Sequence, residues 1–393
     1  MSMTKSAPMK APWLAAIFVI FLIWSIYSFD MPAVSSVGST LYDEIVESHT
    51  QAMDAARIEL GEDTPEEAVA LASVVPVQPL DTPMDIGIES SRPVSELPLI
   101  LYAYSESPTA RINIEFFIRH GLHAAADFVF ILNGPTDVAN IIPKESNIKI
   151  VQRENDCYDI GAYAEVLTKD DLYKGYKRFI MLNASIRGPF SPYWAKGCWS
   201  DMYLAKITDE VKLVGMTANC WPTFHVQSMI WATDLTGLEV LLFPSPDAIA
   251  AYALNPPKSA SNDPLEALTV ANQAPGINSC FHDWISAVTA EVGASTLIKA
   301  AGYKLDVMMS AYHGTENFDE TCDASKNADV LWDKEYFGTN VHPFETVFMK
   351  SNRDVDPVGL ERHTQWVQGR GYSSYDFCKA VESPWVVTSS GSV

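Results

Sequence analysis

The chain has 393 residues, with 49 acidic against 27 basic side chains and a formal net charge of −22. A hydrophobic content of 48% excludes a chain that is disordered throughout, and the length allows about two domains of ~150 residues. So acidic a balance argues against a nucleic-acid partner, because binding to phosphates needs clustered lysine and arginine side chains.

The N-terminus predicts a membrane anchor. Residues 11–29 carry no charge, and the run is close to the ~20 apolar residues that cross a bilayer. Lys5 and Lys10 precede it and Asp30 follows it, so the positive-inside rule places residues 1–10 in the cytoplasm as a short tip. We expect a single-pass type II membrane protein of the Golgi or endoplasmic reticulum, with the membrane as a partner. A cleaved signal peptide ending near Ala33 is the alternative.

The charge is concentrated after the anchor. Residues 30–97 hold 14 acidic and two basic residues, a net charge of −12, together with several prolines. This composition predicts an extended, self-repelling stem. Residues 98–393 then form one lumenal domain, with a core at about 98–310 and a C-terminal elaboration at 311–393.

All six cysteines follow the anchor. In an oxidising lumen they can form up to three disulfides, and the sequence leaves all fifteen pairings open. No C-x-x-C pair is present, which argues against a structural zinc site.

From residue 98 onward, apolar runs alternate with helical patterns. Ile114, Phe117 and Ile118 share one face of a helix, and residues 159–167 form another. This alternation predicts an α/β fold with a mostly parallel sheet sandwiched by helices. The continuously apolar first, second and fourth strands suit central positions. The predicted strands are 99–105, 127–134, 147–155, 178–185, 212–220 and 226–234.

Ligands of open α/β sheets bind beyond the carboxyl ends of the strands. Asp159 could accept hydrogen bonds from a ribose or sugar hydroxyl there, and Arg187 could neutralise a diphosphate. The structural alternatives are a helix N-cap for Asp159 and an ordinary turn at 183–189. The candidate residues at these ends are Tyr104, Asn155, Asp156, Asp159, Asn183, Ser185 and Arg187.

Two segments carry a family resemblance. Asn155 followed by Cys157–Tyr163 (CYDIGAY), and Met181–Ser185 (MLNAS) followed by Gly188-Pro189, resemble the paired motifs of rhamnan-synthesis-F-like glycosyltransferases and their membrane-anchored relatives. The resemblance spans about residues 98–310, with further likeness at 291–295 and 302–305. It implies a GT-A-like, Rossmann-like fold, a nucleotide-sugar donor substrate, and transfer to a glycan or glycoprotein hydroxyl.

The chain departs from the wider GT-A pattern at one point. Many GT-A enzymes hold a divalent metal with Asp-x-Asp after the fourth strand, where this chain has Asn183-Ala184-Ser185. Neutral oxygens are poorer ligands for hard cations than carboxylates. One possibility is that the metal is absent and that Arg187 or a nearby lysine supplies the positive charge. The other is that Asp156, Asp159 and His313 provide metal ligands from elsewhere in the chain. We expect weak or absent metal dependence.

Glu291, on a predicted helix, is the candidate base for the acceptor hydroxyl, with Asp283 as its rival. The structural alternative for Glu291 is a solvent-facing helical side chain. His313 lies on a loop that could reach the diphosphate, and Trp221 and Trp231 could stack on an acceptor sugar.

The body of the chain keeps a net negative charge, so Arg153, Arg187 and Lys196 are conspicuous as local positive charge for a diphosphate. A catalytically inactive glycan-binding or scaffold protein with the same fold is the alternative function.

Overall fold

The structure is a computed structural model that describes residues 94–370 except 193, 196, 261–262 and 323–328, together with residues 375 and 378. The predicted cytoplasmic tip, anchor helix and nearly all of the stem lie outside the described residues. Within the described part of the chain, no helix is both long enough and apolar enough to cross a membrane.

The described body is a mixed α/β domain built on a central sheet. Its strands, in chain order, are β1 (Leu99–Ser105), β2 (Asp127–Asn133), β3 (Ile148–Arg153), β4 (Arg178–Asn183), β5 (Ile186–Arg187), β6 (Val211–Gly215), β7 (Ala218–Asn219), β8 (His225–Val226), β9 (Ile230–Asp234), β10 (Lys304–Val307) and β11 (Met349–Lys350). Seven of them form the central sheet, in the spatial order β10-β6-β9-β4-β1-β2-β3.

The pairing confirms a mostly parallel sheet. β1 lies between β2 and β4, parallel to both, and β3 and β10 are parallel to their neighbours β2 and β6. β9 runs antiparallel to both β4 and β6. The chain steps from β1 outward to β3 and then returns to the other side of β1 as β4. The carboxyl ends of β1 and β4 therefore border the switch point at which ligands of such sheets bind.

The apolar strands take the central positions predicted for them. Residues 99–104 of β1 are each at most 3% exposed, so both faces of the strand are covered. Residues 179–182 of β4 are fully buried in the same way. A strand that is buried on both faces is apolar throughout, whereas a half-exposed strand alternates apolar and polar residues.

The helices are α1 (Pro108–His120), α2 (Tyr158–Thr168), α3 (Trp199–Leu204), α4 (Leu235–Leu242), α5 (Pro246–Leu254), α6 (Pro264–Asn272), α7 (Trp284–Ala300), α8 (Ser310–Gly314), α9 (Phe318–Thr321), α10 (Pro343–Thr346) and α11 (Pro357–Gly369). Short 3₁₀ turns occupy Val138–Asn140 and Lys169–Gly175. The two helices expected between residues 105 and 170 are α1 and α2.

The segment after β10 returns to the core. β11 pairs antiparallel with β5, so that Lys350 lies opposite Ile186 and Met349 opposite Arg187. Tyr203 on α3 donates to the carbonyl of Thr346 at 2.6 Å. This return brings residues near 350 to the carboxyl end of β4.

The predicted strands 212–220 and 226–234 are each divided. The first becomes β6 and β7, and the second β8 and β9, with β7 and β8 forming a separate two-stranded hairpin. The side chain of Asn219 accepts from the amide of Trp221 at 2.8 Å, which closes the hairpin turn. A turn that is closed by an asparagine side chain breaks a strand without altering the hydrophobic pattern of the sequence, so the pattern alone does not reveal the break.

The six cysteines form three disulfides in the structure. The pairs are Cys157–Cys280, Cys198–Cys378 and Cys220–Cys322. The first joins the start of α2 to the segment that precedes α7. Each bridge links parts of the chain more than 100 positions apart, so together they tie the later segments to the core.

Candidate functional site

A polar cleft of about 410 Å³ lies at the switch point of the sheet, beyond the carboxyl ends of β1, β2 and β4. The start of α1, the start of α2 and the segment after β11 complete its walls. The lining residues are Ala103, Tyr104, Ser105, Ser107, Thr109, Ala110, Asn133, Asn155, Tyr158, Asp159, Asn183, Ala184, Ser185 and Asn352. Five of the candidate residues from the sequence, Tyr104, Asn155, Asp159, Asn183 and Ser185, are among them.

The β1 side of the cleft is held by polar contacts between loops. Tyr104 is fully buried, and its hydroxyl donates to Glu106 at 2.9 Å. Asn155, after β3, donates to the Ser105 hydroxyl at 3.1 Å, so the ends of β1 and β3 are joined. Ser107 caps α1 by accepting from the amide of Ala110. These contacts leave a wall of hydroxyl and amide groups suited to hydrogen-bonding a polar ligand.

The opposite wall contains a directed chain of hydrogen bonds. The ammonium of Lys350 donates to the Ser185 hydroxyl at 2.9 Å, and that hydroxyl donates to Oδ1 of Asn183. The amide nitrogen of Asn183 in turn donates to Oδ2 of Asp159. Each group donates in the same direction, from the cation towards the carboxylate. Asp159, Asn183 and Ser185 line the cleft, and the four side chains of the chain of bonds come from three separate segments.

The backbone at the start of α2 fixes the position of Asp159. Tyr158 adopts a left-handed conformation at φ 54°, an uncommon conformation for a residue other than glycine. Cys157, the N-cap residue, is tied to Cys280 by a disulfide. A Cβ on Gly161 would lie 2.7 Å from the carbonyl oxygen of Ser279, so glycine permits the same segment to pack against α2. Asp159 is therefore not the N-cap, contrary to the structural alternative from the sequence.

Asp159 and Lys350 are both half-buried and both have perturbed pKa values. Burial raises the pKa of Asp159, the hydrogen bond from Asn183 opposes the rise, and the nearby Glu291 carboxylate adds to it. Burial lowers the pKa of Lys350 to about 8, with a contribution from Arg353, against the attraction of Glu291, Asp159 and Asp329. Perturbed titratable groups beside a cleft mark a candidate functional site.

Of the two candidate bases, Glu291 lies nearer this cluster. It is half-buried on α7 and accepts from the amide of Ser228 at 2.6 Å, and its charge affects both Asp159 and Lys350. Asp283 is exposed and forms a capping box with Ser286 at the start of α7. The side chain of Asp283 is thereby engaged in starting the helix, and neither acid is among the lining residues.

Several candidates lie away from the cleft. Arg187 is 6% exposed and donates to Asn113 at 2.9 Å and to Thr364 at 3.2 Å. His313 contacts Lys206 and the carbonyl of Val307 beside β10. Because β10 is the strand at the far edge of the sheet, the structure does not bring His313 to the donor-side residues.

The structure also locates most of the remaining charged and aromatic candidates. Asp156 forms an ion pair with Arg153 at 2.8 Å, and Arg153 pairs with Glu165 as well. Lys196 lies outside the described residues. Trp231 is fully buried, so it cannot stack on a sugar, whereas Trp221 is 39% exposed.

No sequence motif indicates Lys350 or Asn352. The hydrogen bond between Lys350 and Ser185 spans 165 positions, and residues 346–349 look like an ordinary apolar segment. Tyr158 and Ser107 do line the cleft, and Tyr158 lies within the Cys157–Tyr163 motif while Ser107 follows the candidate Tyr104 by three positions. Their closeness in sequence to those candidates was the signal that could have identified them.

The oxygens at the end of β4 do not fit a divalent cation. Asp159 is the one carboxylate among the described lining residues. Its Oδ2 accepts from Asn183, and Oδ1 of Asn183 accepts from both the amide and the hydroxyl of Ser185. The ammonium of Lys350 donates a hydrogen bond to the same hydroxyl, and its positive charge would repel a metal ion. Hard cations require several free oxygen ligands, preferably carboxylates.

No protein-family model matches the chain, and no curated protein matches it. A cytidylyltransferase from Leptospira borgpetersenii serovar Hardjo-bovis (strain JB197) is similar at 16% identity and a TM-score of 0.25, over 37% of this chain and 63% of that one. The apo form of the glycosyltransferase GlyE from Streptococcus pneumoniae TIGR4 is similar at 9% identity and a TM-score of 0.25, over 35% of this chain and 34% of that one. A further structure of GlyE is similar at 10% identity and a TM-score of 0.30, over 58% of this chain and 49% of that one.

This chain therefore spans less than two thirds of each of those proteins. Both are transferases by name. At such TM-scores the likeness assigns no residue and no substrate.

Proposed function

We propose that this chain is a membrane-anchored glycosyltransferase that moves a sugar from a nucleotide-sugar donor to a glycan or glycoprotein hydroxyl. The observation that carries the proposal is the cleft at the switch point, where Asp159, Asn183 and Ser185 form one hydrogen-bonded set with Lys350. Asp159, Asn183 and Ser185 belong to the two motifs that resemble rhamnan-synthesis-F-like glycosyltransferases, and Lys350 lies outside them. The anchor at residues 11–29 would hold the domain at the Golgi or endoplasmic reticulum membrane.

The reaction assigns separate tasks to the donor-side residues of the cleft and to the base. The bond between the anomeric carbon and the diphosphate oxygen breaks, and its electron pair stays on the diphosphate. The acceptor oxygen bonds to the anomeric carbon, and its proton passes to a base, for which Glu291 is our candidate. Asp159 accepts hydrogen bonds from donor hydroxyls. Positioning of the two substrates and stabilisation of the leaving diphosphate provide most of the rate acceleration.

An inactive glycan-binding protein is the second candidate. It is favoured by Asn183-Ala184-Ser185, which replaces the metal-binding Asp-x-Asp of many GT-A enzymes. Such a protein would keep the cleft but release no nucleotide from a donor.

The deciding experiment incubates the purified chain with a panel of UDP- and GDP-sugars and an acceptor glycan mixture, and measures nucleotide release. We expect release from at least one donor, lost in Asp159→Ala. Asp247→Ala is the matched control, because Asp247 is an exposed aspartate in the first turn of α5 as Asp159 is in the first turn of α2. Binding without turnover for every donor would support the inactive binding protein instead.

A further inference from the structure

We propose that Lys350 binds the diphosphate of the nucleotide donor in this cleft, in place of a divalent metal ion. The inference rests on the proposed function and adds to it the group that recognises the leaving phosphate. It concerns a residue of the C-terminal elaboration rather than of the motif-bearing core.

The position of Lys350 is set by strand pairing. β11 pairs with β5 in the register Lys350 to Ile186, which places the side chain next to Ser185. The ammonium is 2.9 Å from the Ser185 hydroxyl, which is part of the cleft wall. Two residues further on, Asn352 lines the cleft itself. The segment 350–352 therefore borders the cleft next to the end of β4.

Among the described residues, two arginines near the cleft are paired with carboxylates. Arg153 is held by Asp156 and Glu165, and Arg111 by Glu106 and Asp137. Arg187 is buried with Asn113 and Thr364, as described above. Lys350, by contrast, donates to the neutral hydroxyl of Ser185, which an anionic oxygen can replace.

The charge of the cleft requires such a cation. Asp159 is the one carboxyl group among the described lining residues, and its ionised form alone would repel a diphosphate. The groups that act on the Lys350 ammonium are Asp159, Glu291 and Asp329, which attract it, and Arg353, which repels it. Because its pKa is lowered to about 8 by burial, Lys350 is mostly protonated at neutral pH yet poorly solvated. A dianionic phosphate supplies the charge-assisted hydrogen bonds that such a group lacks.

The test measures nucleotide binding to the full chain by calorimetry in EDTA, with UDP and GDP compared with uridine and guanosine. We expect Lys350→Gln to weaken binding of the preferred diphosphate by about 10- to 100-fold while leaving the nucleoside unchanged. Lys350→Arg keeps the charge and should restore most of the binding. Lys177→Gln is the control, since Lys177 is an exposed lysine just before β4, at the other end of that strand.

A pH titration of the unaltered chain provides a measurement that does not depend on a variant folding. Lysine is protonated below its pKa, so diphosphate binding should be strong at pH 7 and fall as the pH rises through 8. The expected fall is about tenfold between pH 7 and pH 9. Uridine or guanosine binding, measured in parallel, corrects for titration of the base.

Two results would overturn the inference while leaving the proposed function in place. One is diphosphate binding that is the same in Lys350→Gln and in the unaltered chain. The other is binding that EDTA abolishes and Mn²⁺ restores. Absence of any nucleotide binding, with or without Mn²⁺, would instead refute the proposed function and this inference together.

Discussion

At the scale of single residues, the cleft holds a carboxylate whose ionisation opposes folding. Burial raises the pKa of Asp159, so the folded protein holds the proton of this side chain more tightly than the unfolded chain does. Ionisation of this side chain in the folded protein therefore lowers the free energy of unfolding. Functional residues are commonly kept at such a cost in stability.

Replacement of Asp159 by asparagine should separate stability from activity. We expect Asp159→Asn to lower transfer by at least about 100-fold, because the charge that orients donor hydroxyls is gone. At pH 7 the variant should be as stable as the unaltered protein or more so. The stability difference should shrink as the pH falls through the raised pKa of Asp159, below which both side chains are neutral. Urea unfolding at pH 7 and at lower pH measures this difference.

Asp247→Asn is the matched control for that experiment. The carboxylate of Asp247 is exposed in the first turn of α5, where negative charge stabilises a helix by about 0.3–1 kcal/mol. Its removal should therefore lower stability slightly and leave transfer unchanged. Greater loss of stability in Asp159→Asn than in Asp247→Asn would contradict the account of Asp159.

Arg187 should behave as a structural residue. Arg187→Met removes the donors to Asn113 and Thr364 and leaves two buried acceptors without them. We expect a loss of about 2–4 kcal/mol in the free energy of unfolding. The dissociation constant for UDP or GDP, measured at a temperature where the variant is folded, should stay within about threefold. Weakened diphosphate binding without loss of stability would restore Arg187 to the donor site.

At the scale of elements, the start of α2 is a tethered segment. It carries Asp159, it follows a left-handed residue, and the Cys157–Cys280 disulfide joins it to the segment before α7. Glu291 lies on that same helix α7. The disulfide therefore joins the start of the helix that carries Asp159 to the segment before the helix that carries Glu291. We expect it to hold the site in place as well as to stabilise the fold.

Removal of this disulfide should affect both properties. We expect the double variant Cys157→Ser with Cys280→Ser to lose about 2–4 kcal/mol of stability, as is typical for a bridge that closes a long loop. It should also bind the nucleotide more weakly, because the start of α2 is no longer held at the cleft. Chemical denaturation and calorimetric titration measure the two effects.

The Cys220–Cys322 disulfide provides the comparison. It closes a loop of similar length, with a separation of 102 positions against 123. Cys157 adjoins the lining residue Tyr158, whereas neither Cys220 nor Cys322 adjoins a lining residue. Its removal should lower stability by a similar amount and leave nucleotide binding unchanged. If both double variants lost binding equally, the effect would be one of general destabilisation.

At the scale of the whole molecule, the parts that could be predicted are those set by local pattern. β1, β2 and β4 were recognisable because strands buried on both faces must be apolar throughout. The positions of Asp159, Asn183 and Ser185 followed from the rule that places ligands at carboxyl ends of strands. Lys350 could not be predicted, because the pairing of β11 with β5 joins segments far apart in the chain. The burial of Arg187 beside Asn113 and Thr364 could not be predicted, because a basic residue after a strand looks the same in sequence whether it faces a ligand or the core.

The charge distribution divides the molecule in a way that bears on its location. Of the net charge of −22, −12 belongs to residues 30–97 and reflects the predicted stem rather than the ligand. The predicted anchor at 11–29 precedes this stem, and the cleft lies wholly within residues 103–352. Membrane attachment and ligand binding should therefore be separable.

We expect the full chain to remain in the membrane pellet after carbonate extraction, and a chain beginning at residue 94 to be soluble. Both should bind the preferred nucleotide with the same dissociation constant, because no residue of the cleft is removed. The double substitution Ile20→Arg with Leu22→Arg tests the anchor within the full chain, since each arginine at a helix centre disfavours membrane insertion by about 2.5–3.5 kcal/mol. This variant should be lost from the pellet. A mature N-terminus near residue 34, found by sequencing, would contradict the anchor and favour a cleaved signal peptide.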